Sequence, residues 1–400
     1  MPTSNPRDQA TRAGRDHYGP AWVPTLVAEA PGRLELLGNH VDYNGGLVLA
    51  GAIDRVVTIV AATSDNPGTI DLIASDVSSE IAVIAIEACR DWQVLQGPIG
   101  PFEYTRGVIA SLLARDLDVR DSLKLSIAGN VPVGFGMSSS AGLCVALVLT
   151  LASIEPSARD TVMIAREAEH RCGSPVGAMD QSASVAGGVI LFDGRDSSYA
   201  ALEPELGHYV FAVADSGVTH ALGSSSYPAR VAESQQALGL IRDSVLPDLP
   251  SLGEMSPAEW EAAKPALSEA MTPRLQHRID HVVTEVERVR LGMIAVQAAD
   301  WVEFGRLMTE SGRSSSIDYE ISHPRVEELV EELNRIDGVA GARMMGGGEG
   351  GPALALIHRD ALPQVATRLE AGFFQRNPSH LEGERLQVCS FGPGARIEAL

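Results

Sequence analysis

Four hundred residues are too many for one compact core and suggest two closely packed domains. Hydrophobic residues at 45% and charged residues at 21% exclude intrinsic disorder. With 52 acids against 31 bases, only Lys124 and Lys264 being lysines, the net charge of −21 argues against nucleic-acid or anionic-membrane partners and leaves an anionic ligand to local arginines, backbone N–H groups or a metal ion.

In chain order, residues 1–25 are polar, carry charges and prolines, and read as a variable N-terminal segment with no signal-peptide core. Leu26 to Ala30 reads as a strand leading into a glycine-rich turn, and Leu47 to Val60 as strand, turn and strand. A helix is expected around Tyr104 to Arg115, a strand at Lys124 to Ala128, then a glycine-rich loop. The apolar run Ala141 to Ile154, about 14 residues, suits a buried helix and is too short for a membrane span. An amphipathic helix over Pro156 to His170 and strands at Gly187 to Phe192 and Tyr209 to Ala214 follow. The second half opens on a serine-rich turn and continues with a charged helix, Pro273 to Ala299, and a glutamate-rich helix, Arg325 to Ile336. A glycine cluster, a strand at Pro352 to Ile357 and a further helix complete it. The class is α+β, with one unit over residues 26–210 and a second over 211–400. Cys89, Cys144, Cys172 and Cys389 lie far apart, so neither a zinc site nor a disulfide framework is indicated and a reducing cytoplasm fits.

Four segments concentrate chemistry. Val131 to Gly142, V-P-V-G-F-G-M-S-S-S-A-G, lies between a strand and a helix, where glycine backbone N–H groups, serine hydroxyls and a helix N-terminus would receive a phosphate; its bland reading is a serine helix cap. Pro31 to Gly46 gathers Arg33, Asn39, His40, Asp42, Tyr43 and Asn44 among four glycines, as a cradle for a polyhydroxylated ligand or as an ordinary surface turn. Asp180 stands alone among small and apolar neighbours, as a helix cap or a functional acid or base. Ala342 to Pro352 is a third glycine cluster. Neither lysine sits in a Walker A loop, and the triplet His358 to Asp360 has Val365 where a protein kinase needs asparagine. His277 and His281, with Arg278 between them, read as a solvated helical face, as does the acidic run Glu327 to Glu332.

Taken in order, G-R-L-E-L-L-G-N-H-V-D-Y-N-G-G, G-M-S-S-S-A, C-G-S-P-V-G-A-M-D-Q and M-G-G-G-E-G-G resemble the motifs of the GHMP small-molecule kinases, and the first narrows the resemblance to the galactokinases. Asp215 to Tyr227, His281 to Arg288 and Asp318 to Pro324 extend it over residues 26–400. The resemblance implies a two-domain GHMP kinase fold with its active site in the cleft between the domains, and ATP-dependent phosphorylation of a monosaccharide at the anomeric hydroxyl. It implies Asp180 as the base and Arg33 as its cationic partner. Gly134, Gly136, Met137, Ser138, Ser139 and Ser140 would hold ATP, and Asn39, His40, Asp42, Gly177 and Tyr227 the sugar. Ser140 and Glu169 would hold Mg2+, with Glu167 taking the place of Glu169 if the register shifts.

Three positions depart from the galactokinase pattern: Asn39 stands for glutamate, Glu35 for asparagine, and Glu349 for a residue usually aromatic. The first falls at a residue that the resemblance expects to bind the sugar's primary hydroxyl. It leaves open a kinase for a uronic acid, pentose or amino sugar, beside galactose, and a non-catalytic sugar- and ATP-binding sensor; the intact Ser138 to Ala141, Arg33 and Asp180 speak against a sensor. The expected partners are a small sugar and ATP, with no nucleic acid or membrane, for a cytoplasmic monomer or weak homo-oligomer.

Overall fold

The computed structural model describes residues 5–78, 80–94, 97–218, 226–379 and 384–400; of the segment Asp215 to Tyr227, residues 219–225 lie outside the described residues. Helix α1 (Pro6–Tyr18) occupies the segment expected to be irregular. Asn5 caps it, accepting from the Arg7 N–H at 3.0 Å, and Pro6 takes the first turn. Its buried face is made of Ala10, Ala13 and Gly14, with Trp22 lying over Gly14, so large apolar residues that would have marked a helical period are missing.

Strand β1 (Leu26–Leu37) continues through the expected turn, and β2 (Leu47–Thr63) is one strand of 17 residues. Bulges between Pro31 and Arg33 and between Glu35 and Leu37 absorb the irregular sequence within β1. In β2, a Cβ at Gly51 would collide with the Phe391 ring, so this glycine admits a distant segment and does not turn the chain. The first half continues with β3 (Thr69–Ala74), β4 (Ala82–Ala85), α2 (Pro101–Leu113), β5 (Leu123–Gly129), α3 (Ser139–Leu151), α4 (Ala158–Arg171), α5 (Met179–Ala186), β6 (Val189–Asp193) and β7 (Ser198–Leu202). The length of β2 has a reason: it pairs with β1 on one side and, on the other, with β5 through Val57–Thr63 and with β6 through Leu47–Gly51.

The chain then passes through β8 (Tyr209–Ala214), α6 (Tyr227–Ser244), α7 (Pro257–Leu267), α8 (Pro273–Gln297), α9 (Trp301–Ile317), α10 (Pro324–Asn334), β9 (Val339–Met344), β10 (Ala353–His358), α11 (Leu362–Ala371), α12 (Phe373–Arg376), β11 (Leu386–Cys389) and β12 (Arg396–Ala399). Among the described residues the strands form two sheets. One has eight strands in the order β12-β1-β2-β5-β3-β4, with β6 on β2 and β7 on β6; the other is β11-β8-β10-β9. The parallel pair β3 and β5 encloses α2, and β12 returns the end of the chain to β1.

Helix α3 is buried at every position from Ala141 to Leu151 and packs on β1 and β2, which explains its uniformly apolar sequence. From the second half, α8 and α9 also reach β1. The expected solvated face of α8 is therefore only half right: His277 is exposed, whereas His281 is fully buried against the turn after β1. Among the described residues no helix is long and apolar enough to cross a membrane.

Candidate active site

The bulge in β1 turns Arg33 inward, where its guanidinium is 5% exposed. Its backbone N–H donates to the Met137 carbonyl at 3.0 Å, and a Cβ at Gly32 would collide with that same oxygen, so β1 and the loop before α3 are closely apposed. Arg33 Nη1 donates to the Gly136 carbonyl at 2.7 Å. Nε and Nη2 donate to the two carboxylate oxygens of Asp180 at 2.7 and 2.9 Å, a bidentate pairing. Burial opposes the charge of Arg33, but Asp180, Glu35 and Asp42 around it outweigh that cost and raise its pKa.

Asp180 sits in the first turn of α5. Besides the two bonds from Arg33 it accepts one from the Ser138 hydroxyl at 2.5 Å. A carboxylate offers about four acceptor directions, so one remains for a further donor. Ser138 holds a left-handed conformation, φ 56°, immediately before α3, and Gly134 and Gly136 have φ 80° and 61°. These conformations turn the loop so that Gly134, Gly136, Met137 and Ser138 to Ser140 line a cavity of about 210 Å³ at the N-terminus of α3. Met345 to Gly348 and Gly350 to Pro352 form its opposite wall. Glu349 is not in that wall; its backbone N–H is tied to the Ile321 carbonyl, so the departure at this position stays clear of the cavity.

A second cavity of about 60 Å³ adjoins the first and is lined by Glu35, Asn39, His40, Asp42, Val176, Gly177, Met179 and Tyr227. Arg33, Asp180, Val176, Gly346 and Gly347 belong to both cavities, so the Arg33–Asp180 pair stands where the two meet. The Val176 carbonyl, held by Arg166 at 3.2 Å and His170 at 2.7 Å, fixes the loop before α5. Burial, reinforced by Asp180 and Glu35, pushes the Asp42 carboxyl up to about 7 against the opposing Tyr43 N–H and Arg166. Burial, with His281 and Arg230 nearby, pulls His40 down to about 3, so its ring is neutral and both gives and takes a hydrogen bond. Asn39 is fully buried. Its Nδ2 donates to Met344 Sδ at 2.9 Å, while Oδ1 has no hydrogen-bond partner among the described residues. Glu35, the second departure, is neutralised by the fully buried Arg343 at 2.8 Å.

Glu169 is 3% exposed, lines the larger cavity and accepts from Gln181 Nε2. Burial, then repulsion from Asp180, raises its carboxyl to about 7, and hydrogen bonds from Ser140 and Gln181 and the charge of Arg33 offset only part of this. A buried carboxylate with no ion pair among the described residues, beside a hydroxyl and lining the larger cavity, is a donor set that suits Mg2+ arriving with nucleotide oxygens. Glu167 faces elsewhere and is bound by Arg115 and by Arg171 at 2.7 Å. Every residue that the resemblance assigned to the site borders one of the two cavities except Glu167; of the cradle read in Pro31 to Gly46, Tyr43 and Asn44 line neither cavity and instead hold His40, Tyr43 at the ring Nδ1 at 2.8 Å and Asn44 Nδ2 donating to its carbonyl at 2.8 Å. Motif reading missed Glu285 and misread His281, both of which hold the turn after β1 from α8; their spacing of four on one helix was the available signal.

Comparison with known proteins bears on this arrangement. Three family models match: the galactokinase galactose-binding signature over residues 15–63, the GHMP kinase N-terminal domain over 103–188 and the GHMP kinase C-terminal domain over 293–375. The chain is 35% identical over 387 residues to the galactokinase of Chloroflexus aggregans, covering 93% of each. It is 32% identical to that of Homo sapiens, over 90% of this chain and 91% of that one. A crystal structure of Lactococcus lactis galactokinase complexed with galactose matches with a TM-score of 0.87 at 25% identity, covering 98% of this chain and 99% of that one. Mevalonate kinase from Methanococcus jannaschii, at 15% identity and a TM-score of 0.62, over 92% of this chain and 98% of that one, shares the fold alone.

Proposed function

The chain belongs to the galactokinase family of GHMP kinases, and on that premise we propose that it transfers the γ-phosphoryl group of ATP to the anomeric hydroxyl of galactose, giving galactose 1-phosphate and ADP. The observation that carries the proposal is the Arg33–Asp180 pair at the junction of the cavity lined by the glycine–serine loop and the smaller one lined by Asn39, His40 and Asp42. Asp180 offers its remaining acceptor direction to the anomeric O–H and takes that proton as the O–P bond forms and the bond to the ADP oxygen breaks. Arg33 holds Asp180 in place by two bonds and meets the charge that develops on the transferring group. Gly134, Gly136, Met137 and Ser138 to Ser140 receive the nucleotide phosphates at the head of α3. Asn39, His40, Asp42, Tyr227 and the backbone at Gly177 contact the sugar hydroxyls.

Ser140 and Glu169 are the residues that would hold Mg2+, which supplies neutralisation of the phosphate charge when bound. The division into units of residues 26–210 and 211–400 belongs to the same proposal, supported by the change of sheet between β7 and β8, with the boundary falling just inside β8 and β12 returning to the first sheet.

Asn39, which lines the smaller cavity and whose buried Oδ1 has no partner among the described residues, favours one second reading: a kinase for a galactose relative altered at carbon 6. ATP consumption across free hexoses, pentoses and uronic acids separates the two. Galactose is expected to give the highest kcat/KM and a 1-phosphate product. No galactose-dependent ADP release, or a clear preference for another sugar, would overturn the first reading.

A further inference from the structure

The turn that presents the sugar-facing side chains adopts a conformation that does not sustain itself. Gly38 has φ 106°, and His40, a non-glycine residue, has φ 62°. A Cβ at Gly38 would meet the Leu47 carbonyl and Val48 Cα at 2.8 Å. Left-handed non-glycine backbone is unfavourable and persists where the surroundings over-determine it.

Beside bonds within the turn, such as Asn44 Nδ2 to the His40 carbonyl at 2.8 Å, this conformation is held from helix α8, in the other half of the chain. Glu285 Oε1 accepts from the backbone N–H groups of Gly38 at 2.9 Å and Asn39 at 3.1 Å. One turn earlier on the same face, the His281 Nε2–H donates to the Asn39 carbonyl at 2.9 Å. Both side chains are fully buried. Ser311 donates to the same Glu285 oxygen at 2.6 Å, and Arg288 Nε donates to the other at 2.7 Å, so the carboxylate is saturated by donors and neutralised by Arg288. Neither Glu285 nor His281 lines either cavity, whereas Asn39, His40 and Asp42, which follow directly along the chain, all do.

We propose that Glu285, assisted by His281, is a positioning residue for the sugar subsite, fixing the Gly38–Asn39 backbone from α8 and thereby aiming Asn39, His40 and Asp42 at the sugar. The inference rests on the assignment of those three residues to the sugar. Burial pushes the Glu285 carboxyl up, but Arg288, His281 and Arg343 outweigh it and hold it at about 2, so the acceptor stays charged throughout the working range.

Glu285→Gln keeps the shape and one acceptor oxygen but sets an NH2 group against donors that a carboxylate satisfied. Steady-state kinetics on the folded variant, normalised to active protein, should show KM for galactose raised about tenfold, KM for ATP within about twofold, and kcat at saturating galactose within about threefold. Ser311→Ala, which removes one bond to the same oxygen and leaves the charge, should raise KM for galactose roughly two- to threefold with KM for ATP unchanged, and it decides the question if Glu285→Gln does not fold. An unchanged KM for galactose, or equal rises in both KM values, means that Glu285 supports the fold without positioning the subsite. Asp42→Ala separates the two layers. If it leaves KM for galactose unchanged, the subsite assignment itself fails; if it raises that KM while the Glu285 and Ser311 variants do not, the positioning role alone falls.

Discussion

Replacing Asp180 by asparagine tests the proposed chemistry most directly, because the structure defines what the change removes. The amide keeps one oxygen for Arg33 Nε but turns an NH2 group towards Arg33 Nη2 and the Ser138 hydroxyl, which now donate to Oδ2. Loss of proton acceptance alone should lower turnover roughly 10²-fold or more, equivalent to about 2.7 kcal/mol of activation free energy. The structural cost should be smaller, since Arg33 keeps the Gly136 carbonyl and the nearby charges of Glu35 and Asp42. Relief elsewhere also offsets it: Asp180 is one of the charges that raise Asp42 and Glu169 to about 7, so both carboxyls should titrate lower in the variant. The assay couples ADP release to a spectroscopic readout at saturating ATP and galactose, with calorimetric titration of galactose in parallel. Turnover should collapse while galactose affinity stays within about threefold. A variant that turns over within a few-fold of the parent, or one whose lost rate is matched by lost sugar affinity, would refute the assignment of Asp180 as the base.

Further outcomes follow from the same geometry. A Cβ at Gly177 would collide with the Asp42 carboxylate, so Gly177→Ala should displace that side chain and raise KM for galactose at least about tenfold with KM for ATP unchanged; equal effects on both substrates would remove Gly177 from the sugar wall. Glu169 must be ionised to hold a cation, and with its carboxyl at about 7 in the ligand-free protein the Mg2+ concentration needed for half-maximal rate should climb as pH falls from 8 to 6, by up to about tenfold per unit below 7. In Glu169→Gln the requirement should be higher and flat with pH, and an unaltered titration curve would place the metal elsewhere. Asn39→Glu puts back an acceptor-only side chain beside the sugar and should shift relative kcat/KM towards galactose over galacturonate or a 6-deoxy sugar by about tenfold, as expected for a charge-assisted hydrogen bond of roughly 1.5–3 kcal/mol; identical ratios in both proteins would show that position 39 does not read carbon 6.

What the sequence determined by itself was local. The glycines and serines of Gly134 to Ser140 announced a tight loop before a helix because left-handed backbone and small side chains are properties of the residues themselves, and the structure shows φ 80° and 61° at its two glycines. The largely apolar, buried run of α3 from Ala141 to Leu151 was legible for the same reason, since a helix buried on all sides needs no amphipathic pattern. Features set by distant partners were not legible. Pro31-Gly32 reads as a turn until Met137 and β2 hold it extended, and Gly51 reads as a break until Phe391 fills its face. His281 reads as a surface residue until the Asn39 carbonyl, 242 positions away, meets its ring. Which of Glu167 and Glu169 faces the larger cavity depends on how α4 packs: Glu169 lines it, whereas Glu167 is held by Arg115 and Arg171. Residue type and local spacing specify which groups are available; only tertiary packing decides which of them are desolvated together, and the raised carboxyls of Asp42 and Glu169 arise from that shared burial.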